Sequence, residues 1–163
     1  MWTVMTSPIG DLRLVEREGA ITQIEFSPFP GVGQSGDGRP RGERDDTHPV
    51  LVEAARQLTA YFAGDLTDFD LPLAPVGSDF QQRVWKELQL IGYGETASYG
   101  DIALRLGMTN AASRAVGLAN GRNPIPVVIP CHRVIGADGT LTGYAGGLER
   151  KQKLLEIEQD ALW

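Results

Sequence analysis

The apolar periodicity of this chain changes once, and that change restricts the fold more than any other feature. Trp2 to Thr6, Leu12 to Glu16 and Ile21 to Phe26 are short, β-branched or alternating runs, parted by the turn-forming "SPIGD" and "REGA". They are predicted strands. From Pro49 the spacing is helical: Leu51, Ala54, Ala55, Leu58, Tyr61 and Phe62 share one face, and Gly64 is a natural stop. Strands first and helices afterwards predict an α+β chain. Between them "SPFPGVGQSGDGRPRGERDDT" (27–47) has no period and reads as a mobile surface loop, with Arg39, Arg41 and Arg44 solvated or touching a polyanion. The connector "DLTDFDLPLAPVG" (65–77) sets the boundary. A small N-terminal α/β domain (short β-sheet plus helix) is expected over 1–76, and a mostly helical domain over 77–163.

In the second domain, Ser78-Asp79-Phe80-Gln81 fits a capping box, and Phe80, Val84, Leu88 and Ile91 continue at helical spacing. Ser98 is placed to cap a short helix, "YGDIALRLG", buried through Ile102, Ala103 and Leu106 and ended at Gly107. Asn110 is placed to cap a third, "AASRAVGLANG". Two short helices joined by a tight turn suggest a helix-turn-helix of winged-helix type. "IPVVIP" reads as a brief extended run delivering Cys131, "VIGADGTLTGY" as a hairpin around Asp138-Gly139, and 148–160 as a closing helix with Leu148, Leu155 and Ile157 apolar.

The 163 residues, 42% apolar with three tryptophans, suffice for a core without disulfides, which one cysteine cannot form. The lone thiol implies a reducing, cytoplasmic home. No apolar stretch reaches the ~18 residues of a membrane span, and MWTVMTSPIG lacks a signal-type n-region. With only Cys131, His48 and His132 as soft ligands, no metal site is expected. Net charge is −6, which argues against nucleic acid until its placement is seen. Residues 1–91 hold 14 acids and 8 bases, whereas 92–153 hold 4 acids and 7 bases. The stretch 92–153 is mildly basic, and Glu156, Glu158 and Asp160 bring 92–163 as a whole to neutrality.

Cys131 stands directly beside His132, in "VVIPCHRVIG". A lone cysteine is most simply a small buried hydrophobe. It becomes a nucleophile only as thiolate, which calls for a base. In an extended segment adjacent side chains point apart, so the proton would pass from Cys131 to His132 through a water. His132 then needs an acid partner, for which Glu158 is the candidate. The third helix offers one long polar side chain, Arg114, among Ala, Ser and Gly, which is poor for reading bases in a major groove. Its composition suits either close approach to a minor groove with Arg114 entering the base stack, or close helix packing with Arg114 solvated. A helix-turn-helix regulator and a turnover thiol hydrolase are the competing functions.

Taken together, "FQQRVW", "IGYGETASYGDIA", "RAVGLANGRNP", "IPCHRVIG" and "TGYAGGLERKQKLLEIE" resemble the O6-alkylguanine-DNA alkyltransferases (methylated-DNA–protein-cysteine methyltransferases), almost unbroken from Phe80 to Glu158. The resemblance implies DNA repair by direct reversal. Cys131 would take the alkyl group irreversibly, once per chain, from O6-alkylguanine flipped out through the minor groove, with O4-alkylthymine a further candidate. It implies that His132 takes the thiol proton through a water, that Glu158 orients His132, and that Asn123 ties the loops of the site. Tyr99 would press on the target phosphate and donate its proton to the departing guanine. Arg114 would fill the vacated stack, with Asn110, Ser113, Ala115 and Gly117 along the DNA. Tyr144, Val134, Ala145 and Lys151 would line the substrate pocket. No cofactor is implied. The partner is double-stranded DNA, met by a monomer loading independently or cooperatively. Two departures stand out: Ala145 replaces a serine of some relatives, and "GMTNAASRAVG" is a residue longer than in some.

Overall fold

The computed structural model describes residues 1–31 and 39–161. The chain forms two compact units, Met1–Val76 and Gly77–Trp163.

In the first unit, β1 (Trp2–Met5), β2 (Leu12–Arg17) and β3 (Ala20–Phe26) make an antiparallel sheet in that order. The β2–β3 hairpin turns on Glu18 and Gly19, both at positive φ, as a two-residue turn of matching twist requires. Helix α1 (Pro49–Phe62) lies on the sheet and buries Leu51, Ala54, Leu58 and Tyr61 with Leu12, Leu14, Ile21 and Ile24. Gln57 is buried too, and its side-chain amide exchanges two hydrogen bonds with the Asp70 backbone. The connector therefore does more than link. Ile21 N–H donates to the Pro72 carbonyl and Ala74 N–H to the Ile21 carbonyl, both at 2.8 Å.

Loop 27–47 departs from expectation at its described ends; its middle, 32–38, lies outside the described residues. Arg41 is not solvated but 2% exposed. It grips Glu25 with Nε at 2.7 Å and the second guanidinium nitrogen at 3.0 Å, while Arg13 Nε holds the same carboxylate at 3.1 Å. Two cations on one buried acid are tolerated because the spare donors reach the Gly31 and Pro30 carbonyls. Arg44 remains at the surface, paired to Asp46.

The second unit is built from helices. Ser78 and Gln81 form the expected capping box at the start of α2 (Asp79–Leu88), and Ser98 with Asp101 forms another at the start of α3 (Tyr99–Arg105). α3 stops at Gly107 (φ 75), and α4 (Ser113–Gly121) follows as the second helix of the helix-turn-helix pair. Asn110 does not cap it. Asn110–Ala112 form a 3-10 turn, and the Asn110 Oδ1 and carbonyl both accept from the Ser113 hydroxyl. Trp85 of α2, 1% exposed, donates its indole N–H to the Ala119 carbonyl at 2.9 Å and so fixes α2 against α4. The expected closing helix is α5 (Leu148–Ala161); it buries Lys151, Leu154 and Glu158, while the apolar Leu148 is exposed and Leu155 and Ile157 are half-buried. Its inward face is largely polar, which an apolar pattern cannot reveal. Among the described residues, no helix is long and apolar enough to cross a membrane.

Candidate active site

Asn123 shapes the segment that carries the cysteine. Its Oδ1 accepts from Ile125 N–H at 3.0 Å, and its Nδ2 donates to the Ile129 carbonyl at 2.8 Å. Ile129 N–H also bonds the Ile125 carbonyl, so "IPVVIP" is a folded turn and not the extended run its residues suggest. Val127 sits at φ 73, a left-handed conformation that a β-branched residue adopts only under constraint.

Cys131–Arg133 continue as a single 3-10 turn, which corrects the extended geometry read from the sequence. The side chains of Cys131 and His132 still diverge, by ~120° in such a turn. The turn leads into β5 (Val134–Ile135), which pairs in parallel with β4 (Ala97–Ser98). Those four residues join the cysteine turn to the start of α3. The expected hairpin reduces to a turn: Gly139 N–H bonds the Gly136 carbonyl and Asp138 accepts from Thr140, with no returning strand among the described residues.

Cys131 is buried. Burial pushes its thiol up to about 11, against hydrogen bonds from Asn123 and Tyr144 and the charge of Lys151, which favour the thiolate. His132, fully buried, has Nε2 2.6 Å from Glu158 Oε2. Burial lowers its pKa, Arg133 and Lys151 act the same way, and Glu158 opposes them. The imidazole is neutral near pH 7. With Nε2–H donated to the carboxylate, the lone pair lies on Nδ1, which is buried and has no hydrogen-bond partner among the described residues. A base with an open lone pair thus stands one residue from the thiol.

Arg133 went unnoticed in the sequence, yet it holds the acid by two bonds. Its Nε and a terminal nitrogen clasp the two Glu158 oxygens at 2.9 and 3.0 Å, and its other terminal nitrogen reaches the Ile91 carbonyl at 2.7 Å. Gly94 N–H adds a fourth donor to Glu158. Burial alone would raise this carboxyl, but His132 and Arg133 outweigh it and bring it to about 2. Asn120, also overlooked, is buried and donates to the Cys131 carbonyl at 3.4 Å. Only its partner would have disclosed either role.

Lys151, buried, donates to the Val134 carbonyl at 2.6 Å. Tyr144 is half-buried at the thiol, Ala145 exposed beside it, and Tyr99 half-buried at the head of α3 with its hydroxyl bonded to Thr142 Oγ1. A methyl placed on Gly117 would lie 3.6 Å from the Tyr99 ring, so α4 passes close to that tyrosine. Arg114, Ala115 and Asn110 are exposed, and Ser113 half-buried, on the α3–α4 side. Among the described residues no cluster of His, Cys, Asp or Glu is arranged to hold a metal.

Both units match one family. The profile described as "6-O-methylguanine DNA methyltransferase, DNA binding domain" covers residues 79–160, and that described as "6-O-methylguanine DNA methyltransferase, ribonuclease-like domain" covers residues 1–75. The chain belongs to the 6-O-methylguanine DNA methyltransferase family. Among its relatives, the methylated-DNA–protein-cysteine methyltransferase of Mycolicibacterium paratuberculosis is 51% identical over 97% of this chain and 92% of its own length. That of Methanosarcina barkeri is 48% identical over 99% and 98%. The crystal structure of Mycobacterium tuberculosis O6-methylguanine methyltransferase superposes with a TM-score of 0.85 at 48% identity, covering 98% of this chain and 93% of the other. The same coverage and identity hold for Mycobacterium tuberculosis OGT in complex with DNA, at a TM-score of 0.82.

Proposed function

We propose that this protein repairs DNA by moving the alkyl group of O6-alkylguanine onto Cys131, once per chain. The observation that carries the reading is the buried Cys131 thiol beside a neutral, Glu158-held His132 with an open Nδ1. A water between them takes the thiol proton to Nδ1. The sulfur pair then forms the S–C bond as the C–O6 bond breaks, and its electrons stay on the guanine. The Tyr99 hydroxyl protonates the departing base. A thioether offers water no ready leaving group, so the thiolate is not regenerated.

Residues 77–163 carry DNA binding and chemistry, with 1–76 a structural domain. Duplex DNA meets α4 from the minor groove, where small residues permit close approach: Ala115 and Gly117 face the backbone, Asn110 and Ser113 flank it, and Arg114 takes the place of the flipped base. The base then lies against Tyr144, Ala145, Val134 and Lys151. The Val134 carbonyl already accepts from Lys151, but its second lone pair is available to the guanine amino group. The protein acts as a monomer in the cytoplasm. Incubation with a duplex carrying O6-methylguanine is expected to add one methyl mass to the Cys131 peptide and to stop at about one equivalent. Sustained turnover would overturn this function.

A further inference from the structure

Thr142 is used by no step above, yet it lies between two residues of the site. Lys151 Nζ donates to the Thr142 carbonyl at 3.3 Å and to Thr142 Oγ1 at 3.4 Å, besides its 2.6 Å bond to the Val134 carbonyl. Those three acceptors match the three N–H groups of an ammonium, which has no lone pair of its own. On the other side, Thr142 Oγ1 is bonded to the Tyr99 hydroxyl.

Direction follows from this inventory. Because Lys151 can only donate, Thr142 Oγ1 accepts from it, and the single Thr142 O–H is free to turn to Tyr99 Oη. Tyr99 then accepts, and its own proton is left for another acceptor. We infer that Thr142 is a positioning residue, the middle of a Lys151–Thr142–Tyr99 proton chain aimed at the departing base. The inference rests on the function proposed above.

The protons balance. Guanine takes the Tyr99 proton, Tyr99 takes that of Thr142, and Thr142 takes one from Lys151, which ends as a neutral amine. The thiol proton is by then on His132, so one positive charge is lost at Lys151 and one gained at the imidazole. Burial favours the neutral amine, while charge on Cys131 favours the ammonium. That second influence disappears when the sulfur becomes a thioether. Lys151 therefore yields its proton most readily as the alkyl group arrives. A chain with a charged donor at one end also polarises its members cooperatively.

The test is single-turnover transfer at saturating duplex carrying O6-methylguanine. Thr142→Val keeps the volume and removes the hydroxyl. It is expected to lower the maximal rate by roughly 10- to 100-fold, no more than the lower bound of ~100-fold for general acid catalysis because Tyr99 keeps its own proton, with DNA affinity unchanged. Thr142→Ser is expected to restore the rate. In a Tyr99→Phe background, Thr142→Val is expected to add no further loss. A wild-type rate for Thr142→Val, or its full penalty on top of Tyr99→Phe, overturns the relay while Cys131 still gains its methyl. No methyl on Cys131 in the unsubstituted protein overturns the relay and the proposed function together.

Discussion

Both oxygens of Glu158 are occupied by donors, among them His132 Nε2, two nitrogens of Arg133 and Gly94 N–H. A carboxylate so saturated holds its partners and takes no proton itself. Its folded pKa of about 2 lies below the ordinary 4.5, so its stabilising contribution is present above 4.5 and is lost as pH falls toward 2. His132 adds in the same direction, because its depressed pKa makes the fold prefer the neutral ring. Glu158→Gln is expected to cost about 3–5 kcal/mol, since Arg133 is left buried without its counter-charge. Denaturant melts across pH should show the variant losing less than wild type on acidification through that window. Its transfer rate should fall at neutral pH and recover in part as pH climbs from 9.0 toward about 11, where the thiolate forms unaided. A pH–rate profile identical to wild type would remove Glu158 from the site. Cys131, His132 and Glu158 could be picked out in the sequence because their chemistry is written in their residue types. Arg133 could not, because a buried arginine is recognised by its partner, here 25 residues away.

At the scale of elements, what depended on neighbours in sequence was readable and what depended on one distant or buried side chain was not. The two capping boxes, at Ser78–Gln81 and Ser98–Asp101, need only three residues of spacing. Turn 123–130 has the β-branched look of a strand, but the Asn123 amide bonds two of its backbone groups and folds it. Arg41, in a segment with no apolar period, is buried because Glu25 waits 16 residues earlier. Helix α4 keeps its ambiguity in the sequence, since small residues serve both helix packing and DNA approach. Arg114→Ala separates the two. If Arg114 fills the vacated stack, repair of duplex DNA should slow by the equivalent of roughly a few kcal/mol, the cost of unstacking. Transfer from free O6-benzylguanine, which needs no extrusion, should change little. Equal losses on both substrates would place Arg114 in support of the helix itself.

For the molecule as a whole, the proposed transfer to Cys131 enlarges a side chain that is already enclosed. Overpacking of this kind costs ~1–3 kcal/mol, against ~5–15 kcal/mol of total stability. The β4–β5 pairing, Ala97 with Val134 and Ser98 with Ile135, carries any displacement of the cysteine turn to the head of α3. The alkylated protein is therefore expected to melt lower, to be cleaved faster by protease and to release DNA. Thermal melts and limited proteolysis before and after reaction check this, and unchanged values would mean the pocket already has room for the product. The enclosure of Cys131 has a second consequence, for the time before any lesion is met. If each chain reacts once, as proposed above, its thiol must stay unreacted through long idle intervals among cellular electrophiles and oxidants. Pushed up to about 11 by burial, Cys131 is ionised in far fewer molecules at pH 7 than an exposed thiol. Iodoacetamide should accordingly label the native protein at least ~100-fold more slowly than the same chain in denaturant. The burial that calls for a base in the proposed chemistry is then also a form of preservation, granting the resting protein a chemical shelf life.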